Sequence, residues 1–289
     1  MAGIRTLIIS PRLRSLRAFL LNPNAVIGLV ILSAMAVMAL ISPILFPGDP
    51  LSITASPFIP PWQDSAHFLG TDALGRDVTA GIAHGARVSL LVGITATAVG
   101  LLIGLVIGAW AGYYGGWIDD LLTRIIEVFQ TIPNFIFLVV VVAIAPPSMI
   151  TMAVAIGLVS WPSIARLVRA EFRTQKAKDY VLCARTLGYK DRRIIFREIL
   201  PNALPPIIVT ASIMVASAIL MESALSFMGL GDPNLISWGS MIGTGREALR
   251  SAWTLTAFPG IAIVLTVISL NLIGDGLNDA LNPRFLNER

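Results

Sequence analysis

Six long runs of apolar residues constrain the fold of this chain more than any other feature. A helix that crosses the ~30 Å hydrocarbon core of a bilayer needs ~20 consecutive apolar residues. The runs meet or approach that length, at about 25–46, 88–111, 121–145, 149–168, 203–230 and 257–274. Only 13% of the 289 residues are charged, whereas a soluble domain carries about 25%. The pattern predicts an all-α polytopic membrane protein with six transmembrane helices.

The count of six depends on the short separator between the third and fourth runs. The third and fourth runs are separated only by 145–148, where Pro146 and Pro147 are adjacent. Two such prolines cannot continue a helix, so we expect a tight hairpin there. A five-helix arrangement is the alternative. Pro133 is expected to bend the third helix.

The positions of Lys and Arg predict the topology. With six spans, seventeen of the 21 Lys and Arg residues fall on the side of the two termini, and ten of them lie between Arg166 and Arg197. Basic residues concentrate in cytoplasmic loops, so we expect a multi-pass membrane protein with both termini in the cytoplasm. This topology also accounts for the net charge of +4, and we expect no nucleic-acid partner.

The runs and the topology together predict how the chain is divided. The predicted segments are a cytoplasmic N-terminal segment (1–24), a first transmembrane helix (25–46), an extracytoplasmic loop (47–85), a five-helix core (86–278) that carries a cytoplasmic loop at 178–202, and a cytoplasmic tail (279–289).

Motifs of nucleotide-driven and hydrolytic chemistry are absent from the sequence. No G-x-x-x-x-G-K-[ST] loop, H-E-x-x-H or G-x-S-x-G motif occurs, and these are the patterns that hold phosphate, zinc or an acyl-enzyme nucleophile. The only cysteine, Cys183, cannot form an internal disulfide. We therefore predict a chain that is not an enzyme, with no catalytic residue, metal site or cofactor of its own.

The loop at 178–202 carries more pattern than a simple connection needs. One face of a short helix is apolar, and Gly188 stands where a helix would end through a left-handed residue. Asp179 is placed to cap the start of this helix. A second helix is expected from about Asp191 until Pro201 ends it. The apolar face consists of Tyr180, Val181, Ala184 and Leu187.

Two interpretations of this loop stand side by side. The positive-inside rule alone explains its ten basic residues. It does not explain the apolar face or the glycine between the two helices, which favour a surface on which a soluble partner docks.

At these residues the chain resembles the permeases of ABC importers. Their EAA motif reads E-A-A, three residues, G, nine residues and I-x-L-P. Leu182-Cys183-Ala184 occupy the first three positions here, Gly188 the glycine, and Ile199-Leu200-Pro201 the end. The whole chain from about Arg17 to Arg284 is similar to the C-type permease of dipeptide, oligopeptide and nickel importers. The stretches that carry this likeness are LGTDALGRDV, GARVSLLVG, AGYYGGWID, GLVSWPSIARLVR, ILPNALPPIIV, ESALSFMGLG and FPGIAIVLTVISLNLIGDGLNDALNPR.

The resemblance implies a type I ABC importer permease fold, a place in the bacterial plasma (inner) membrane and a set of partners. These are a second permease subunit in a heterodimer, two cytoplasmic ATPase subunits that bind ATP and Mg, an extracytoplasmic solute-binding protein, and membrane lipid. Leu182 replaces the family's acidic residue, and Asp179 lies one turn earlier. The residues expected to couple to the ATPase are Asp179, Tyr180, Val181, Leu182, Cys183, Ala184, Arg185, Leu187, Gly188 and Pro201.

The resemblance leaves the solute open between di- or oligopeptides, nickel complexes and another small solute. A secondary transporter or channel independent of ATP is a second hypothesis, and it would need an ion pathway. A scaffold that anchors a soluble complex is a third. Glu222 lies deep in an apolar run, where a carboxylate is costly and often functional. Glu222 and Asn271 are therefore candidates for the translocation path, with a buried structural role as the alternative.

Overall fold

The computed structural model describes residues 11–281, with side chains from residue 16 onward. This part of the chain is helical, and it has no β-strand beyond one isolated bridge between Thr71 and Asp77. The helices are α1 (Pro11–Leu21), α2 (Pro23–Leu45), α3 (Val78–Tyr114), α4 (Gly116–Thr131), α5 (Asn134–Ile144), α6 (Met149–Lys176), α7 (Asp179–Thr186), α8 (Asp191–Arg193), α9 (Leu200–Phe227), α10 (Trp238–Gly245) and α11 (Thr254–Leu281). A π-helical turn, Ile194–Ile199, joins α8 to α9, and a short 3₁₀ turn, Arg246–Ala248, follows α10.

In the described part of the chain, five helices are long and apolar enough to cross a membrane. A sixth span exists if α4 and α5 count as one, although they meet at an angle of 81°. Pro133 stands at this break, as predicted. A proline lacks the N–H that would continue the hydrogen-bond ladder, and it disfavours helical backbone at the preceding residue. The predicted third span is therefore a sharply broken helix.

Two helix boundaries differ from the sequence prediction. Helix α3 begins at Val78, so residues 78–85 form its first turns rather than the end of the predicted extracytoplasmic loop. Asp77 caps this start, because its Oδ1 accepts a hydrogen bond from the backbone N–H of Thr79 at 2.7 Å. His84, together with Thr79, Gly81 and Gly85, lowers the local hydropathy, which conceals these turns in the sequence.

The prediction that Pro201 ends a helix is also wrong. Residues Asp191–Phe227 run as one continuous helix of 37 residues, and Pro201 lies in the first turn of α9. The π turn before it accommodates the proline, since Leu200 donates its N–H to the carbonyl of Ile195, five residues back. Such widened turns are a common response to a disturbed helical ladder.

Helix α3 packs directly against α6 through a stripe of glycines. A Cβ added at Gly104 would lie 2.5 Å from Cγ2 of Ile164 and 2.9 Å from the carbonyl oxygen of Trp161. Gly157 allows the reciprocal approach on α6, where an added Cβ would lie 2.7 Å from Val99. Small residues at four-residue spacing let two helix backbones approach this closely. The stripe of Gly100, Gly104, Gly108 and Gly112 therefore serves packing within the chain.

The two ends of α3 lie near different parts of the chain. Its first turn packs with Leu255 at the start of α11 and with the loop that follows α2. Its last turn contacts the segment that holds α7 and α8. At 1.5 Å per residue, the 37 residues of α3 separate these regions by ~55 Å. The segments predicted to face opposite sides of the membrane thus occupy opposite ends of the bundle.

Candidate coupling surface

Helix α7 ends in a glycine-dependent cap. Gly188 has φ +75°, the left-handed region that an L-residue rarely adopts. Its N–H donates to the carbonyl of Arg185 at 2.9 Å, and the N–H of Tyr189 donates to the carbonyl of Ala184 at 3.1 Å. This pair of bonds is the Schellman arrangement. The predicted turn at Gly188 is therefore present, and it directs the chain back toward α8.

One face of α7 packs against the rest of the chain. Val181 has 0% exposure and Ala184 has 5%, and both lie in a cluster with Phe172 of α6. The cluster also includes Ile194, Ile195 and Ile199 of the π turn. Burial of this apolar area stabilises the position of α7 by roughly 25 cal/mol per Å². Two of the four residues on the predicted apolar face thus hold α7 in place.

The opposite face of α7 is exposed and partly apolar. Leu182 is 50% exposed and Leu187 is 70% exposed, and Cys183 between them is also exposed. Leu187 was expected on the same face as Val181, and that placement is wrong because Leu187 follows the last helical residue, Thr186. The large apolar side chains that this helix and its C-terminal cap leave exposed are therefore Leu182 and Leu187. We call this pair, with Cys183, the outer face of α7.

Side-chain hydrogen bonds fix the base of α7. The hydroxyl of Tyr180 donates to Oε1 of Gln175 at 3.0 Å, and Nε2 of Gln175 donates to the carbonyl of Asn202 at 3.2 Å. Burial raises the pKa of the Tyr180 phenol above its usual range, so this group remains a donor at physiological pH. Asp179 is exposed in the first turn and makes no cap; the capping position belongs to Lys178. These bonds tie α7 to the end of α6 and the start of α9.

A contact that the sequence interpretation missed joins α7 to α3. Tyr113 is 3% exposed, and its hydroxyl donates to Oδ1 of Asp191 at 2.6 Å. Its ring centroid lies 5.5 Å from the guanidinium carbon of Arg185, within cation–π range. The ammonium group of Lys176 donates to the backbone carbonyl of Tyr113. Tyr113 lies in the quoted AGYYGGWID stretch, but nothing in its spacing singles it out.

The two candidates for the translocation path have different surroundings. Glu222 is fully buried (0% exposed) in α9. Its carboxylate accepts hydrogen bonds from Oγ of Ser226 at 2.7 Å, Ser89 at 3.1 Å and Ser223 at 3.4 Å. Asn271 is exposed on α11. Glu222 thus connects α9 to α3, and a role for either residue in the path stays a prediction.

A partly buried ion pair fixes the start of α4. Asp119 is 6% exposed, and it accepts from Nε and Nη2 of Arg169 on α6 at 2.5 and 2.8 Å. Arg173 lies 3.7 Å from the same carboxylate. Such bidentate pairing is geometrically specific. It holds α4 beside the end of α6 that leads into α7.

Comparison with protein families agrees with this architecture. Residues 104–287 match the family described as "Binding-protein-dependent transport system inner membrane component". The chain belongs to this permease family. Residues 10–69 also match the N-terminal transmembrane domain of oligopeptide transport permease C. The protein is thus a multi-span permease component of a bacterial inner-membrane ABC importer, and it works together with other components of such a system.

Several similar proteins are permeases named for dipeptide or glutathione transport systems. A dipeptide transport system permease protein DppC of Alkalihalophilus pseudofirmus is 38% identical over 96% of this chain and 91% of its own. DppC of Bacillus subtilis is 41% identical over 91% of this chain and 82% of its own. A glutathione transport system permease protein GsiD of Pectobacterium atrosepticum is 41% identical over 76% of this chain and 73% of its own.

Solved structures share the fold of this permease. A chain of the MetNI methionine ABC transporter, in an inward-facing conformation, superposes with a TM-score of 0.58 at 19% identity, over 70% of this chain and 96% of its own. A chain of another amino acid ABC transporter gives a TM-score of 0.55 at 16% identity, over 70% of this chain and 95% of its own. The expected type I importer permease fold is thereby confirmed.

Proposed function

We propose that this permease forms half of the translocation path of an ATP-driven importer of di- or oligopeptides. In this assembly it pairs with a second permease subunit and contacts two ATPase subunits through the outer face of α7. ATP and Mg are bound by those ATPase subunits, and an extracytoplasmic binding protein delivers the solute. Both termini lie on the cytoplasmic side with α7.

The exposed outer face of α7 is the observation that carries the coupling part of the proposal. Leu182 on α7 and Leu187 directly after it are exposed to solvent, whereas the opposite face of α7 is anchored by Val181 and Ala184. A partner that covers Leu182 and Leu187 removes them from water, which stabilises the complex by roughly 25 cal/mol per Å² of buried apolar area. The anchor makes α7 move with α6 and α9, so a displacement of α7 by a partner is passed to both helices.

The peptide part of the proposal rests on the relatives. Permeases named for dipeptide transport match this chain over more than nine-tenths of its length. The system named for glutathione transport indicates that related permeases serve short peptides of more than one kind.

Two measurements test the proposal separately. The first is uptake into vesicles that contain the complete transporter, with its binding protein, ATP and a panel of di- and oligopeptides. We expect peptide uptake that requires ATP. Uptake driven by an ion gradient without ATP would contradict the importer assignment, and ATP-dependent uptake of a different solute would contradict the peptide assignment alone.

The second measurement is retention of the ATPase subunits on the purified permease pair. Leu187→Asp should reduce retention, because Leu187 is 70% exposed and a carboxylate at the contact must be desolvated. Leu249→Asp is the matched control, since Leu249 is 53% exposed and lies in the segment between α10 and α11, at the opposite end of the bundle. Equal retention by both variants would contradict the role of α7.

A further inference from the structure

The last turn of α3 contacts three other elements through one residue, Tyr113. Tyr113 donates its hydroxyl to Asp191 of α8 at 2.6 Å. Its ring faces the guanidinium of Arg185 on α7, and its backbone carbonyl accepts from Lys176, the last residue of α6. With 3% exposure, the ring cannot move without displacing these neighbours.

A second polar contact joins α3 to the continuous helix Asp191–Phe227, close to the C-terminal end of that helix. Ser89 of α3 donates to Glu222 of α9 at 3.1 Å, with no exposure of either side chain. Because Asp191–Phe227 is one continuous helix, the bonds Tyr113–Asp191 and Ser89–Glu222 tie it to α3 near both of its ends. The glycine stripe fixes α3 against α6 between these two points.

We infer that Tyr113 is the positioning residue through which a movement of α7 is transmitted to α3. This inference rests on the proposed role of α7 as the ATPase contact. Displacement of α7 moves Arg185 and the start of α8 together, since the turn at Gly188 links them directly. The hydrogen bond to Asp191 passes this displacement to α3, which reaches ~55 Å to the opposite end of the bundle. Without that bond, the movement of α7 reaches α3 only through the apolar packing of α3 against α6.

The test is the ratio of solute transported to ATP hydrolysed in the reconstituted complete transporter. Tyr113→Phe removes only the hydroxyl and keeps the ring. We expect the ratio to fall by about ten- to hundredfold, the size typical of one lost hydrogen bond to a charged group, with ATP hydrolysis retained. Asp191→Asn should give a smaller fall. The double variant should match Tyr113→Phe, because the two side chains act through one contact.

Tyr114→Phe is the matched control. Tyr114 is the neighbouring tyrosine and is 46% exposed, so its variant should keep the wild-type ratio. Thermal unfolding and ATPase retention are measured for every variant. An unchanged ratio in Tyr113→Phe, additive effects in the double variant, or a fall that follows loss of stability or of ATPase would each overturn the inference. A wild-type complex without ATP-dependent uptake would instead overturn the proposed function.

Discussion

At the scale of single residues, conformation restricts Gly188 more than space does. An added Cβ would meet nothing within 4 Å in this chain, yet φ is +75°. A residue with a Cβ pays about 1–2 kcal/mol in the left-handed helical region, whereas asparagine adopts it more readily than most residues. The residue type at this position is therefore selected by backbone geometry.

Substitutions at Gly188 should follow that order. We expect Gly188→Ala to destabilise the cap of α7 by about 1 kcal/mol and to lower ATP-dependent uptake, with Gly188→Asn less affected. Uptake and thermal unfolding of the detergent-solubilised complex measure both effects. If alanine is tolerated better than asparagine, the left-handed cap is not what the site requires.

The carboxylate of Glu222 provides a second test at this scale. Glu222→Ala leaves three serine hydroxyls without their acceptor, and we expect a loss of about 1–3 kcal/mol in stability. Glu222→Gln keeps an acceptor oxygen and should cost less. Thermal unfolding checks the order of the two variants. A glutamine variant of normal stability with strongly reduced uptake would favour the translocation path over the structural role.

At the scale of elements, the contact between α3 and α6 depends on the absence of side chains. The added Cβ at Gly104 would stand only 2.5 Å from Ile164, closer than carbon atoms approach without displacement. The sequence shows this stripe as a period of four residues. The period cannot tell which helix fills the groove, because any helix could approach it equally well.

A pair of glycine substitutions isolates this packing. Gly104→Leu should separate α3 from α6 and destabilise the protein by about 1–3 kcal/mol or more, the usual cost of overpacking. Gly260→Ala in α11 is the control, because a Cβ added at Gly260 would have no neighbouring atom of this chain within 4 Å. Alanine also raises helix propensity. Equal thermal stability of the two variants would contradict the packing role of the stripe.

Sequence pattern recovered most elements because hydropathy and proline positions act locally. The runs that form α2, α6, α9 and α11, the break at Pro133 and the turn at Gly188 all follow from residues near in sequence. Hydropathy and proline positions did not predict two features: the start of α3 at Val78 and the continuation of a helix through Pro201. A cap at Asp77 and a widened turn at Ile194–Ile199 compensate there for unfavourable residues.

At the scale of the whole molecule, the arrangement of the two ends defines an orientation to be tested. The described terminal helices meet near α2, where Asn22 donates to Asp279 at 3.2 Å. The start of α11 packs at the opposite end, beside Val78. The described terminal regions therefore share one end of the bundle, at the end opposite the loop of residues 46–77.

The single cysteine permits a direct measurement of this orientation. Cys183 is exposed on α7, so we expect a membrane-impermeant thiol reagent to label it in inside-out vesicles and not in intact spheroplasts. The control is Cys183→Ser combined with Ser65→Cys, since Ser65 is exposed in the outer loop; its labelling should be reversed. Labelling of Cys183 in spheroplasts would contradict a cytoplasmic α7.

The sequence by itself determined the class of protein, its apolar spans and the turn at Gly188, because hydrophobic run length, proline and glycine act over a few residues. Only the tertiary structure decided which face of α7 is free. Val181, Ala184 and Leu187 are alike in polarity, but two are covered by α6 and the π turn while the third follows the end of the helix. The bonds Tyr113–Asp191 and Ser89–Glu222 join residues 78 and 133 positions apart. Contacts of that kind arise from helix packing, and no local pattern encodes them.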